Sequence, residues 1–146
     1  MEQMMIIKKN NTVRNSEIIF QHKNITIKYF PVQRLIVQSW FDFVASDDFR
    51  KAIDFTLEFA EKNPVHFIIS DALKQAAISP TDSSYAAAVM PQLVAAGLKA
   101  FAFVIPEDIF TKISLKKFSD LEQTHQVQYF YDFDEAINWI KEIEQK

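Results

Sequence analysis

The hydrophobic pattern of this chain changes period near residue 45, and that change limits the folds it can adopt. Before this point, runs such as Asn24 to Phe30 alternate apolar and polar residues, as a half-buried strand does. A polar break at residues 22–24 predicts a hairpin that joins this run to Ser16–Gln21. A further run, Arg34 to Phe41, supplies another strand. The first part of the chain therefore predicts a three-stranded antiparallel meander.

After residue 45, helical and strand-like segments alternate. Phe49, Ile53 and Leu57 recur at helical spacing, and Ser46 is the expected N-cap of that helix. Two nearly continuous apolar runs predict strands that are covered on both faces. The remaining elements are expected in this order: strand Pro64–Asp71, helix Thr81–Leu98 with Pro91 kinking or dividing it, strand Lys99–Ile105, helix Glu107–Leu121, strand Gln126–Tyr131, and a last helix from Asp132. The prediction is an α/β fold with a mixed sheet, in which an antiparallel N-terminal meander precedes alternating strands and helices (βββαβαβαβα).

Length and composition predict one domain. The 146 residues suit a single core, which we assign to residues 16–146, and the polar residues 1–15 are expected to form a mobile N-terminal tail. A hydrophobic fraction of 49% argues against general disorder. We find no export signal and no run close to the roughly 20 apolar residues of a transmembrane helix. Because a chain without cysteine also suits a reducing compartment, we expect a cytoplasmic protein.

The composition excludes several common chemistries. A single glycine, Gly97, cannot form a phosphate-binding Gly-rich loop, and the absence of cysteine removes thiol nucleophiles and Cys-based zinc sites. No two histidines have the i, i+4 spacing of a helical zinc pair, and no Gly-x-Ser-x-Gly elbow presents a serine. A net charge of -3 with interspersed signs gives no nucleic-acid footprint. We therefore predict a non-enzymatic binding module without catalytic residues, metal, cofactor or nucleic-acid partner.

The segment from Asp71 to Ser84 is the candidate site. Asp71 ends a predicted central strand, and ligands of open α/β sheets bind outside such strand ends. Hydroxyl and carboxylate side chains then crowd ahead of a helix, at Ser79, Thr81, Asp82, Ser83 and Ser84. An N-cap at Ser79 or at Asp82 explains only some of these groups. A phosphate on a serine here would add about -1.5 to -2 charge at pH 7 beside the positive end of the helix, and could switch a binding surface.

These residues resemble a known family. Asp82-Ser83-Ser84 at a helix start is similar to the Asp-Ser-Ser-Gly motif that carries the phosphorylated serine in the STAS fold of bacterial anti-sigma-factor antagonists, although Tyr85 replaces the glycine. Ile78-Ser79-Pro80, Ala102 to Pro106 and Tyr129 to Asp132 resemble the STAS/SEC14-like group of small bacterial proteins. The likeness spans about Asn24 to Ile143. It implies a STAS-like regulatory domain, and the binding or phosphorylation residues carried forward are Asp71, Ser79, Asp82, Ser83, Ser84 and Tyr85.

Three hypotheses about function follow. The first is a binding or regulatory module with an unknown protein partner and its surface at residues 71–85. The second, implied by the SEC14-like resemblance, is a carrier of a lipid or another small apolar ligand, for which the fourteen phenylalanines and the alanine-rich helix are candidates. The third is a hydrolase or transferase that uses Asp71 with Ser79 or Lys74. A homodimer through the alanine-rich helix or the hairpin edge is also compatible with the sequence.

Overall fold

The computed structural model describes residues 16–111 and 127–145. The described residues form an α/β fold with a mixed sheet, as predicted. Its strands are β1 (Glu17–His22), β2 (Ile25–Phe30), β3 (Leu35–Asp42), β4 (Phe67–Gln75), β5 (Ala100–Val104) and β6 (Val127–Phe130). Its helices are α1 (Ser46–Lys62), α2 (Pro80–Ala95) and α3 (Phe133–Glu144), and residues 107–111 are also helical. The N-terminal tail expected at residues 1–15, and most of the helix expected at Glu107–Leu121, lie outside the described residues.

The six strands lie side by side in chain order. The pairs β1–β2 and β2–β3 are antiparallel, and the predicted hairpin turns at Lys23, whose φ is 50°. From β3 to β6 every neighbouring pair is parallel. Right-handed crossovers that advance in one direction along a sheet place their helices on the same face. Consistently, α1 and α2 pack together, whereas α3 packs against β4, β5 and β6.

The sheet has an apolar core on each face. On the α1 face, Trp40 of β3 is 2% exposed, and its ring lies 5.0 Å from that of Phe49. On the α3 face, Ile69 and Ala102 pack with Ala136 and Ile140. Both faces of β4 are therefore covered, which explains its nearly continuous apolar sequence.

Buried polar side chains fix α1 over the sheet. Gln38 of β3 donates from Nε2 to Thr56 Oγ1 of α1 at 2.9 Å, and Thr56 donates to the carbonyl of Ala52. On the neighbouring strand, Ser70 Oγ accepts from Trp40 Nε1 at 2.9 Å. Because buried polar groups need such partners, the Gln38–Thr56 bond favours one placement of α1, and the Trp40–Ser70 bond favours the pairing of β3 with β4.

Several element boundaries differ from the prediction. Strand β4 continues four residues beyond Asp71, because β3 extends to Asp42 and pairs with this extension after a β-bulge. Ala45, not Ser46, is the N-cap of α1, so the predicted capping role of Ser46 is wrong. Helix α2 runs without interruption through Pro91 and is followed by Gly97 with φ +121°. No helix in the described parts of the chain is long and apolar enough to span a membrane.

Candidate functional site

The polar residues at the start of α2 form a regular helix N-terminus. Ser79 is the N-cap, its Oγ accepts from the backbone N–H of Asp82 at 3.2 Å, and Pro80 is the first helical residue. The Thr81 hydroxyl lies 3.1 Å from that of Ser79. Of the two N-caps that the sequence allowed, the structure therefore has Ser79. Capping accounts for Ser79 and Pro80 but not for the other polar groups.

Asp82 points from α2 into the contact with α1. Its side chain is 4% exposed, and both of its oxygens accept hydrogen bonds: Oδ2 from Ser46 Oγ at 2.7 Å and Oδ1 from Arg50 Nε at 3.0 Å. The bond from Ser46, followed by the bond and the positive charge from Arg50, holds the pKa of Asp82 below its usual range. The buried carboxylate therefore joins the two helices through an ion pair with the partly exposed Arg50.

Tyr85 continues this contact one helical turn further on. Its hydroxyl donates to Asp54 Oδ1 at 2.5 Å, which raises the pKa of Tyr85. The guanidinium of Arg50 lies 4.7 Å from the centre of the Tyr85 ring, within the range of a cation–π contact. We name this set the α1–α2 polar cluster: Ser46, Arg50 and Asp54 from α1, and Asp82 and Tyr85 from α2.

The α1 half of this cluster was not among the predicted site residues. Ser46, Arg50 and Asp54 follow one another at i, i+4 and i+8, so they lie on the same side of α1. That spacing was visible in the sequence as a polar stripe beside the apolar face. What it faces depends on the packing of α2, which the local pattern does not reveal.

Asp71 lies apart from the other predicted residues. Side chains alternate along β4, so Asp71 shares the α3 face with Phe67 and Ile69, whereas α2 packs on the other face. Its Oδ1 accepts from the backbone N–H of Leu73 at 3.3 Å. Burial raises the pKa of Asp71, and the Leu73 bond and the charge of Lys74 oppose this only in part. The structure thus separates the predicted site into Asp71 and the start of α2.

This separation bears on the hydrolase hypothesis. That hypothesis requires a shifted pKa at Asp71 or Lys74, and Asp71 meets this requirement. Of the two partners that the hypothesis gives Asp71, Ser79 already caps α2 through its Oγ, and Lys74 lies close enough for its charge to act on Asp71.

Ser83 and Ser84 point away from α1 and are exposed. They begin a surface that covers about 140° of the circumference of α2. We name this surface the outward face of α2; its exposed residues are Ser83, Ser84, Ala87, Ala88, Pro91, Val94 and Ala95. Between Gln75 and Gly97 the one charged residue is Asp82, which is buried against α1. The outward face of α2 therefore carries no charge.

Two concavities among the described residues were considered as ligand sites. One, of about 180 Å³, lies beside the β1–β2 turn and is lined in part by His22, Lys23 and Asp48. The other, of about 290 Å³, lies near the end of α2 between Glu61 and Gln92. Both are open to solvent, and both fall below the roughly 300–1,000 Å³ typical of small-molecule pockets.

Aromatic residues that suggested a lipid pocket include several that pack against each other. The ring of Phe103 stacks on Phe101 at 4.5 Å and on Tyr129 at 5.1 Å, and the ring of Phe20 lies 5.2 Å from that of Phe55. Such pairs are ordinary core packing.

Comparison of the chain with protein-family models, with curated proteins and with solved structures gave no match.

Proposed function

We propose that this protein is a non-enzymatic binding or regulatory module that docks a protein partner on the outward face of α2 and the connection that precedes it. The observation that carries this proposal is the lack of charge across that face, in a chain of which 24% is charged. Charged residues are depleted at the centres of protein interfaces, and exposed apolar helix faces mark contact surfaces. A module of this kind would resemble the STAS regulators and act in the cytoplasm.

The exposed serines support a regulatory role for the same face. Ser83 and Ser84 are the fourth and fifth residues of α2, so a phosphate there would add negative charge to an exposed surface just beyond the first turn of the helix. Their side chains take no part in the α1–α2 polar cluster, so a phosphate there would alter the surface and leave the helix contact in place. We therefore propose these serines, and not Ser79, as the sites of a switch.

A charge placed on the outward face tests the proposal. We expect Ala87→Arg to reduce capture of the partner from a cell lysate of the source organism at least tenfold, because a desolvated arginine would have no counter-charge in the interface. The matched control is Asn138→Arg, an exposed position on α3 at the other side of the sheet. Equal capture by the wild type and both variants would contradict docking on this face.

The alternative function is transport of a lipid or another small apolar ligand. Native mass spectrometry of the purified protein tests it independently, since a carrier would retain a ligand of several hundred daltons. Loss of partner capture in Ala87→Arg with no bound mass in the wild type would favour docking over transport.

A further inference from the structure

The first two turns of α2 are held to α1 by polar contacts, with only partly buried apolar contacts beside them. Within residues 80–88 the one fully buried side chain is that of Asp82, and its partners Ser46 and Arg50 belong to α1. Tyr85 is half-buried and also binds α1 through Asp54. Tyr85 and Ala86 touch the apolar core as partly buried side chains, and fully buried apolar anchoring of α2 begins only at Val89 and continues with Leu93.

One backbone hydrogen bond of α2 is missing close to Val89, where full apolar burial begins. Pro91 has no N–H, so the carbonyl of Ala87 lacks the usual bond from the residue four positions ahead. Residues 80–88 are therefore coupled to the following turns by one backbone hydrogen bond fewer than in a helix without proline. Segments with few buried apolar contacts are those that open locally at low free energy.

We propose that residues 80–88 of α2 separate from α1 as one unit, and that Arg50 controls this opening through its contacts with Asp82 and Tyr85. Arg50 contacts both residues, at 3.0 Å from Asp82 Oδ1 and 4.7 Å from the Tyr85 ring centre. The other charged or titratable groups of the contact are Asp54 and the two α2 side chains themselves. Because Ser83 and Ser84 belong to this unit, its opening would move the outward face of α2 relative to α1. A role of this opening in regulating partner binding rests on the proposed function.

Residue-resolved amide hydrogen exchange of the intact chain tests the opening. In the wild type we expect the amides of residues 84–88 to exchange faster than those in the middle of α1 and of residues 92–95. We expect Arg50→Met to accelerate exchange of residues 84–88 by roughly tenfold to a hundredfold, because charge-assisted bonds are lost. The milder variant Tyr85→Phe removes only the bond to Asp54 and should accelerate the same amides about twofold to tenfold.

Lys62→Met is the matched control, since Lys62 lies on α1 but pairs with Glu58 at the exposed surface. It should leave residues 84–88 unchanged. The inference is overturned if residues 84–88 are as protected as the middle of α1 in the wild type. It is equally overturned if Arg50→Met accelerates α1, the sheet and α2 by one common factor, which would show global unfolding. Exchange needs no partner, so failure here is distinguishable from failure to find one.

Discussion

At the scale of single residues, two aspartates from one short segment have opposite electrostatic situations. Asp82 is buried with two side-chain donors and a positive charge, which favour its ionised form. Asp71 is half-buried with one backbone donor, and burial disfavours its ionised form. The ionised carboxylate of Asp82 therefore stabilises the fold, whereas that of Asp71 destabilises it.

Replacing each aspartate with asparagine, which has the same shape without the charge, should distinguish the stabilising carboxylate from the destabilising one. At pH 7 we expect Asp82→Asn to lower the thermal midpoint and Asp71→Asn to raise it, because the first loses an ion pair and the second loses a buried charge. Thermal unfolding followed by circular dichroism measures both. A lowered midpoint in Asp71→Asn would contradict this assignment.

The pH dependence of the two carboxylates has opposite signs. The folded pKa of Asp82 is lowered, so its contribution is present above the ordinary aspartate pKa of about 3.9 and is lost as pH falls through the lower folded value. The folded pKa of Asp71 is raised, so its protonation favours the fold, and stability declines as pH rises through that value. Accordingly, the gain from Asp71→Asn at pH 7 should vanish below the ordinary aspartate pKa.

At the scale of elements, α2 combines two roles on opposite sides. Its inner side has Asp82, Val89 and Leu93 fully buried, and its outward face is uncharged and exposed. Because of this division, the polar residues at the start of α2 lie in different surroundings. Ser79 caps the helix, Asp82 and Tyr85 bind α1, and Ser83 and Ser84 are free at the surface.

Negative charge at the exposed serines tests their proposed regulatory role. We expect Ser83→Asp and Ser84→Asp each to change the free energy of unfolding by less than about 0.5 kcal/mol, because neither side chain is buried. The thermal midpoint should therefore stay close to that of the wild type. We expect both to alter the amount of captured partner. Asn138→Asp on α3 controls for added charge. If capture by both serine variants equals that of the control, these serines are not a switch.

The sequence predicted the helices and strands themselves better than the contacts between them. The period of β2 and the apolar spacing of α1 reflect which side of each element is buried, so they were readable locally. The end of β4 was not, because it depends on pairing with the extension of β3 at Asp42. The α1 partners of Asp82 were likewise hidden, since a contact between residues 46 and 82 arises only when the two crossovers place their helices on one face.

At the scale of the whole molecule, chain order in the sheet determines what α2 can contact. Since β3, β4 and β5 are parallel neighbours, α1 and α2 lie beside each other, and among the described residues the outward face of α2 is exposed. A net charge of -3 spread over the rest of the chain makes that uncharged side distinctive. We propose that this side is the surface that binds the partner.

Site-specific photo-crosslinking in living cells tests that claim most directly. A photoreactive amino acid would replace Ala87 on the outward face of α2 and, in a separate variant, Asn138 on α3. The proposed function predicts a discrete covalent adduct to another protein from position 87 and none of that mass from position 138. Adducts of the same mass from both positions, or an adduct from position 138 alone, would contradict it.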